Sequence, residues 1–167
     1  MYKLNRYAIA LTLVLISLQQ PLACEGGKDT ADHNNIQNTS KATEYFTNEL
    51  DFTTNPYGLN AAIKAKENII IVDIRSAKDY EKEHIPGAIN LPMDKYKSFT
   101  GDETEFPGLK KDRINYVYCY ALLCNGGKKA CKKFASLGYP VKEVKGGFKE
   151  WLAQGYQVEP ATGFTPH

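Results

Sequence analysis

Cys119 directly follows the apolar run Tyr116-Val117-Tyr118, and a second thiol, Cys124, comes five residues later, ahead of Asn125-Gly126-Gly127. These residue types at this spacing suit sulfur chemistry. A cysteine in a loop running from a strand into a helix faces backbone N–H groups and the positive end of the helix dipole. That setting draws a thiol toward the thiolate, and it equally stabilises a persulfide or an oxyanion bound to the sulfur. Gly126 and Gly127 let the backbone turn inward without a Cβ clash. A structural cysteine at a strand end is the competing reading, because free cysteines are often buried. Position alone leaves both open.

Charge adds to the first reading. Between residues 119 and 150 there are seven lysines against Glu143 and Glu150, while residues 24–118 carry twelve basic and sixteen acidic residues. Lys128 and Lys129 fall at the start of the helix, where helix stability alone would favour acids. Cations there suit a thiolate or an anionic substrate such as thiosulfate, whereas Lys132 and Lys133 read as a solvated helix face. Cys124 raises two further ideas. It could attack a persulfide or sulfenate on Cys119 and make the pair a reversible disulfide, or it could carry the sulfur itself. Cys119, Cys124 and Cys131 have an unusual spacing for a metal, with no histidine nearby. No metal and no cofactor is expected, and Cys131 is assigned to the core.

Elements that would hold this loop can be read on both sides of it. Residues 69–72 and 115–118 are short apolar or aromatic runs suited to central strands of a parallel sheet, with further strands at 88–91 and 141–144. Helices are predicted at 60–66 after a Pro56-Tyr57-Gly58 break, from an N-cap at Ser76 to Glu83, at 127–137 closed by Gly138, and at 148–154 around Trp151. Strand–helix alternation of this kind implies a single α/β domain with a mainly parallel sheet. In such sheets ligands collect at the carboxyl ends of the strands, which is where Cys119 stands.

The first 23 residues belong to a different kind of segment. Lys3 and Arg6, the apolar run 7–18 and the small residues before Cys24 read as a secretory signal peptide, with no acidic residue before Cys24. Leu22-Ala23-Cys24 resembles a lipoprotein processing box, with Pro21 where leucine is usual. The expected location is therefore periplasmic or secreted, or lipid-anchored through Cys24. Residues 24–41 are polar and read as a flexible linker containing His33; the domain is placed at 42–158 and a tail at 159–167. The chain of 167 residues has a formal charge of +2, which belongs to the signal segment. So small a charge gives no reason to expect a nucleic-acid partner.

Several of these motifs together resemble the rhodanese-like domain family. The resemblance rests on Asp73-Ile74-Arg75, on Tyr80, and on the run from His84-Ile85-Pro86-Gly87 to Pro92. It continues through Val117-Tyr118-Cys119, Leu137-Gly138-Tyr139, Gly146-Gly147-Phe148 and Trp151. It implies a three-layer α/β fold with a parallel five-stranded sheet flanked by helices. It also implies that Cys119 accepts a sulfane sulfur as a persulfide and passes it on. The partners implied are a small anionic sulfur donor, thiosulfate or a persulfide, and a thiol or cyanide-like acceptor. Tyr120, Ala121, Leu122, Leu123, Cys124, Asn125, Gly126 and Gly127 would form the anion cradle. Lys128 and Lys129 would act as electrostatic helpers, and Arg75 would help to hold the loop. Asp73 and Arg75 are expected to form ion pairs and hydrogen bonds that fix adjoining loops, His84 to be a structural hydrogen-bonded residue, and Trp151 to pack in the core.

The loop departs from the family's common pattern. It is about two residues longer, lacks an arginine, and carries Cys124. Asn125 stands six residues after Cys119, where the phosphatases that share this fold need arginine. Three readings follow: a sulfurtransferase, a thiol–disulfide redox protein using Cys119 and Cys124, and an inactive module that binds a partner.

Overall fold

The computed structural model describes residues 38–160, so the signal segment, Cys24, His33 and the end of the tail lie outside the described residues. Five parallel strands form one sheet in the order β1-β5-β4-β2-β3. They are β1 Thr53–Thr54, β2 Ile70–Asp73, β3 Ala88–Asn90, β4 Asn115–Tyr118 and β5 Val141–Val144. Five α-helices accompany them: α1 Thr39–Phe52, α2 Pro56–Lys64, α3 Ala77–Lys82, α4 Gly126–Ser136 and α5 Gly147–Ala153. This is the five-stranded parallel sheet flanked by helices that the resemblance implies.

Side chains alternate across the sheet because successive Cβ atoms in a strand point to opposite faces. On one face Val72, Val117 and Cys119 pack with Phe99, Phe106, Ala130 and Phe134 beneath α4. On the other, Ile71, Tyr116 and Tyr118 pack with Leu59, Phe148 and Trp151 beneath α2 and α5. The same alternation decides where the thiol goes: Cys119 shares the α4 face with Val117, while Tyr118 turns the opposite way.

The structure differs from the sequence reading at several boundaries. Helix α1 begins at Thr39, capped by the Asn38 side chain, which accepts from the Lys41 N–H at 3.1 Å. Residues read as the end of the linker are thus helical. Pro56-Tyr57-Gly58 is not a break but the opening of α2, with Asn55 as N-cap and proline at the first helical position, where its missing N–H costs nothing. Strand β1 has only two residues, and helix α4 starts at Gly126 rather than Gly127. The start of the tail is tied down: Glu159 exchanges backbone hydrogen bonds with His84 at 2.9 and 3.0 Å. The predicted N-cap Ser76 does cap α3, its hydroxyl accepting from the Asp79 N–H at 3.2 Å.

Phe134 is the anchor of α4. It has no exposure, and it meets Phe99 and Phe106 edge-on at ring separations of 5.3 and 4.8 Å. Phe134→Ala removes the contact that seats α4 on the sheet and is expected to cost about 3–5 kcal/mol. A urea melt should show the midpoint falling accordingly; a change within ~0.5 kcal/mol would mean that α4 is held by something other than this packing.

Candidate active site

Cys119 sits at the carboxyl end of β4, the middle strand of the sheet, and is 4% exposed. Its carbonyl accepts the Phe148 N–H, and the Tyr120 carbonyl accepts the Lys149 N–H, both at 2.9 Å. The first turn of α5 therefore clamps the start of the loop. The clamp needs glycine at 147: the backbone there has φ +57°, and a Cβ would run into the Cys119 carbonyl. The expectation about Gly126 and Gly127 is refined in the same terms. They open α4 rather than turning the loop; a Cβ on Gly126 would crowd Ile74, Cys124 and Met93, and one on Gly127 would lie 3.0 Å from the Glu143 carboxylate.

The two loop cysteines are joined. Cys119 and Cys124 form a disulfide with their Cα atoms 6.3 Å apart, within the usual span for such a bond. The Cys124 N–H donates to the Ala121 carbonyl at 2.9 Å, closing the turn that returns the second sulfur to the first. Between them Leu122 and Leu123 are 72% and 92% exposed, with Leu122 also at the edge of the cavity beneath the loop. The thiolate argument for Cys119 thus applies to the reduced protein, since a bonded sulfur has no lone thiolate to offer.

Beneath the loop lies a cavity of about 100 Å³, walled by both cysteines, Ala121, Gly127, Lys128 and Glu143 among others. Glu143 is the residue that the sequence reading passed over. It lies on β5, opposite Val117 of β4 and Thr53 of β1. Burial pushes its carboxyl above the usual range, opposed by Lys128 and Lys145 and reinforced by Glu49. The available signal was an acid inside a strand flanked by neighbours on both sides of a parallel sheet, a place where such residues are uncommon. Cys131, on the next turn of α4, has its thiol pushed up to about 12, by burial first and Glu143 second. It is half-buried against the α4-side core rather than within it, where the sequence reading places it. Among the described residues no three His, Cys, Asp or Glu side chains converge as metal ligands.

The other predicted site residues divide into those at the cavity and those that brace it. Lys128 reaches the cavity wall, but Lys129 and Asn125 are exposed and do not line it. Tyr120 turns away: its hydroxyl donates to Asp79 at 2.6 Å and accepts the Ser76 N–H at 3.1 Å, tying the loop to α3. Those hydroxyl contacts, from Ser76 first and Tyr120 second, hold the Asp79 carboxyl below its ordinary value. Arg75 is also a brace. Its guanidinium is bound to Asp73 at 2.6 Å and to the Glu83 carbonyl at 2.7 Å, and it lies 3.7 Å over the Phe148 ring. It holds the loop through α5 and takes no part in the cavity wall. His84 stacks on Tyr80 with its Nδ1 2.8 Å from the Tyr80 carbonyl, and Trp151 is buried, donating to the Gln157 carbonyl.

Glu143 makes a pH prediction. A carboxyl whose pKa is raised on folding favours the fold while protonated, and this contribution is lost as pH rises through its folded value. Glu143→Gln keeps the shape and removes the ionisation. The variant's melting temperature should therefore gain on the wild type as pH is raised from 4 to 8, as measured by paired thermal melts. A gap that stays constant or shrinks over that range would show that the lysines, not burial, govern the carboxyl.

Comparison with known proteins agrees with this geometry. The family model described as the rhodanese-like domain matches residues 56–154. The adenylyltransferase and sulfurtransferase UBA4 of Candida albicans is 30% identical over 104 residues, covering 60% of this chain and 23% of that protein. Thiosulfate sulfurtransferase GlpE of Coxiella burnetii is 29% identical over 89 residues, covering 53% of this chain and 76% of that one. The chain thus spans only about a quarter of the length of the UBA4 protein that it matches. Among solved structures, the BH2092 protein of Bacillus halodurans superposes with a TM-score of 0.60 at 35% identity, covering 74% of this chain and 87% of its own. The rhodanese-like domain of the Anabaena Alr3790 protein gives 0.52 at 27% identity, covering 69% and 84%. With the family match spanning more than half of the sequence and the cysteine at the end of the central parallel strand, the chain belongs to the rhodanese-like domain family.

Proposed function

We propose that the protein is a sulfurtransferase that carries a sulfane sulfur on Cys119. The observation that carries this reading is the position of Cys119: it ends the central strand, is clamped by α5, and borders a small cavity at the first turn of α4. In the reduced protein the Cys119 thiolate attacks the outer sulfur of a donor such as thiosulfate. The donor's S–S bond breaks, sulfite leaves with the bonding pair, and Cys119 is left as a persulfide. A thiol or cyanide acceptor then attacks the terminal sulfur and returns Cys119 to the thiolate. Backbone N–H groups over 120–127, other than that of Cys124, serve as the cradle, and Lys128 adds positive charge at the wall. A cavity of about 100 Å³ suits an anion of a few atoms. Residues 1–23 would send the protein to the periplasm, with lipid anchoring at Cys24 as its membrane attachment, and an oxidising compartment suits a loop that forms a disulfide.

A second reading, a thiol–disulfide redox protein, is favoured by the Cys119–Cys124 bond itself. One experiment separates them. The protein is reduced, incubated with thiosulfate under anaerobic conditions, and examined by intact mass before and after cyanide, with thiocyanate measured alongside. An adduct of about 32 Da that cyanide removes is expected on Cys124→Ser and not on Cys119→Ser. An adduct that survives Cys119→Ser and vanishes in Cys124→Ser would move the nucleophile to Cys124. A protein that cycles only between dithiol and disulfide, with no sulfur adduct from thiosulfate or polysulfide on the wild type or on either serine variant and no hydrosulfide released, would be the redox protein.

A further inference from the structure

The loop does more than present one sulfur, because a second sulfur reaches the first without disturbing what holds the loop. The clamp on Cys119 and Tyr120, the Tyr120 tie to α3 and the Cys124–Ala121 hydrogen bond are all in place with the two cysteines bonded. Leu122 and Leu123 take up the bend on the solvent side. The cavity on the inner side touches both cysteines and has room for a leaving group the size of a hydrosulfide or a water. Glu143, the carboxylate in that wall, is half-buried and faced by Lys128 from α4, Lys145 from the end of β5, Glu49 from α1 and the Cys131 thiol.

We propose that Cys124 discharges the sulfur-loaded protein as hydrosulfide, with Glu143 handling the proton in the shared cavity. This rests on the sulfurtransferase reading above. The Cys124 thiol gives its proton to the Glu143 carboxylate and attacks Sγ of Cys119. The Cys119–sulfur bond breaks, the outer sulfur leaves with the bonding pair as hydrosulfide, and the proton returns to it from Glu143. The two cysteine sulfurs are oxidised to the disulfide, and the sulfane sulfur is reduced by the same electron pair. No outside oxidant is needed. An external dithiol reductant then reopens the disulfide by exchange and readies Cys119 for another donor. The disulfide is thus the product of a sulfur-releasing turnover, and the activity added is the conversion of sulfane sulfur to hydrosulfide at the expense of a dithiol.

The test uses the reduced full chain, loaded anaerobically with thiosulfate or polysulfide, freed of excess donor, and followed by intact mass and hydrosulfide release. Wild type is expected to lose its adduct, release stoichiometric hydrosulfide, and end about 2 Da lighter than the reduced chain. Cys124→Ser is expected to hold the adduct and release none. Glu143→Gln, brought to the same adduct level beforehand, should discharge about tenfold more slowly. A wild type that keeps its adduct as long as Cys124→Ser overturns the proposal and leaves the sulfurtransferase reading standing. A disulfide that forms without hydrosulfide also overturns it. An unchanged rate in Glu143→Gln removes the carboxylate from the step. If Cys124→Ser takes up no sulfur from either donor and the wild type neither holds an adduct nor releases hydrosulfide, the sulfurtransferase reading falls, and this one with it.

Discussion

A carboxylate with no exposure must have its charge answered within reach, and Asp73 has it answered by two neighbouring elements. The Arg75 backbone N–H, its Nε and its Nη2 all donate to Asp73, and the Tyr118 hydroxyl donates at 2.6 Å from β4. Burial would by itself lower the Arg75 pKa, but the Asp73 contact outweighs it and holds the guanidinium further into its charged form. Burial first and Asp73 second push the Tyr118 hydroxyl far above its ordinary value, so it stays a donor. Breaking such a pair by removing one member leaves an uncompensated buried charge, which costs about 3–5 kcal/mol. The network is therefore closer to a fixed joint than to a set of separable contacts.

The loop inherits its geometry from that joint. Tyr118 and Cys119 are consecutive, so fixing the Tyr118 ring on one face of the sheet sends Cys119 to the other. The same Arg75 that pairs with Asp73 lies over Phe148, and Phe148 donates its N–H to the Cys119 carbonyl. Asp73, the last residue of β2, and Arg75, two residues on, thus position the thiol that follows β4 twice, through Tyr118 and through α5. Arg75 matters to the site without facing the cavity, which is why its place in the sequence motif and its place in the structure carry different meanings.

Legibility followed the physics of each element. Strands β2 and β4 announce themselves as short apolar or aromatic runs, β3 and β5 follow from the turn residues around them, and Cys119 is found by its place at the end of β4. Strand β1 leaves no such signature: two threonines, half-buried, are held by pairing with Glu143 and Val144 rather than by a pattern of their own. Helix α1 buries no residue, so no apolar stripe marks it, and Tyr45, Phe46 and Leu50 remain exposed. Pro56 reads as a breaker when only its lost N–H is considered, and as a starter once Asn55 is seen as the cap. The lysine excess near Cys119 was visible as a count, but its use is settled only in three dimensions. Lys145 is spent on Glu49, Lys133 donates to the Gly101 carbonyl, and Lys128 alone of the helix lysines reaches the cavity wall.

The bond between Cys119 and Cys124 has to be weighed against that joint. A cross-link stabilises mainly by restricting the unfolded chain, and its effect grows with the length of the loop that it closes. Here the two cysteines are five residues apart, so the contribution is near the low end, about 2 kcal/mol. The sheet, the Asp73 joint and the Phe134 packing do not depend on it. The α5 clamp on Cys119 and the Tyr120 tie to α3 are made by backbone and hydroxyl atoms rather than by the two sulfurs, and the Leu122-Leu123 bend is exposed. The frame is thus separate from the small ring that the Cys119–Cys124 bond closes, and the fold rests on the Asp73 joint and the Phe134 packing rather than on the cross-link.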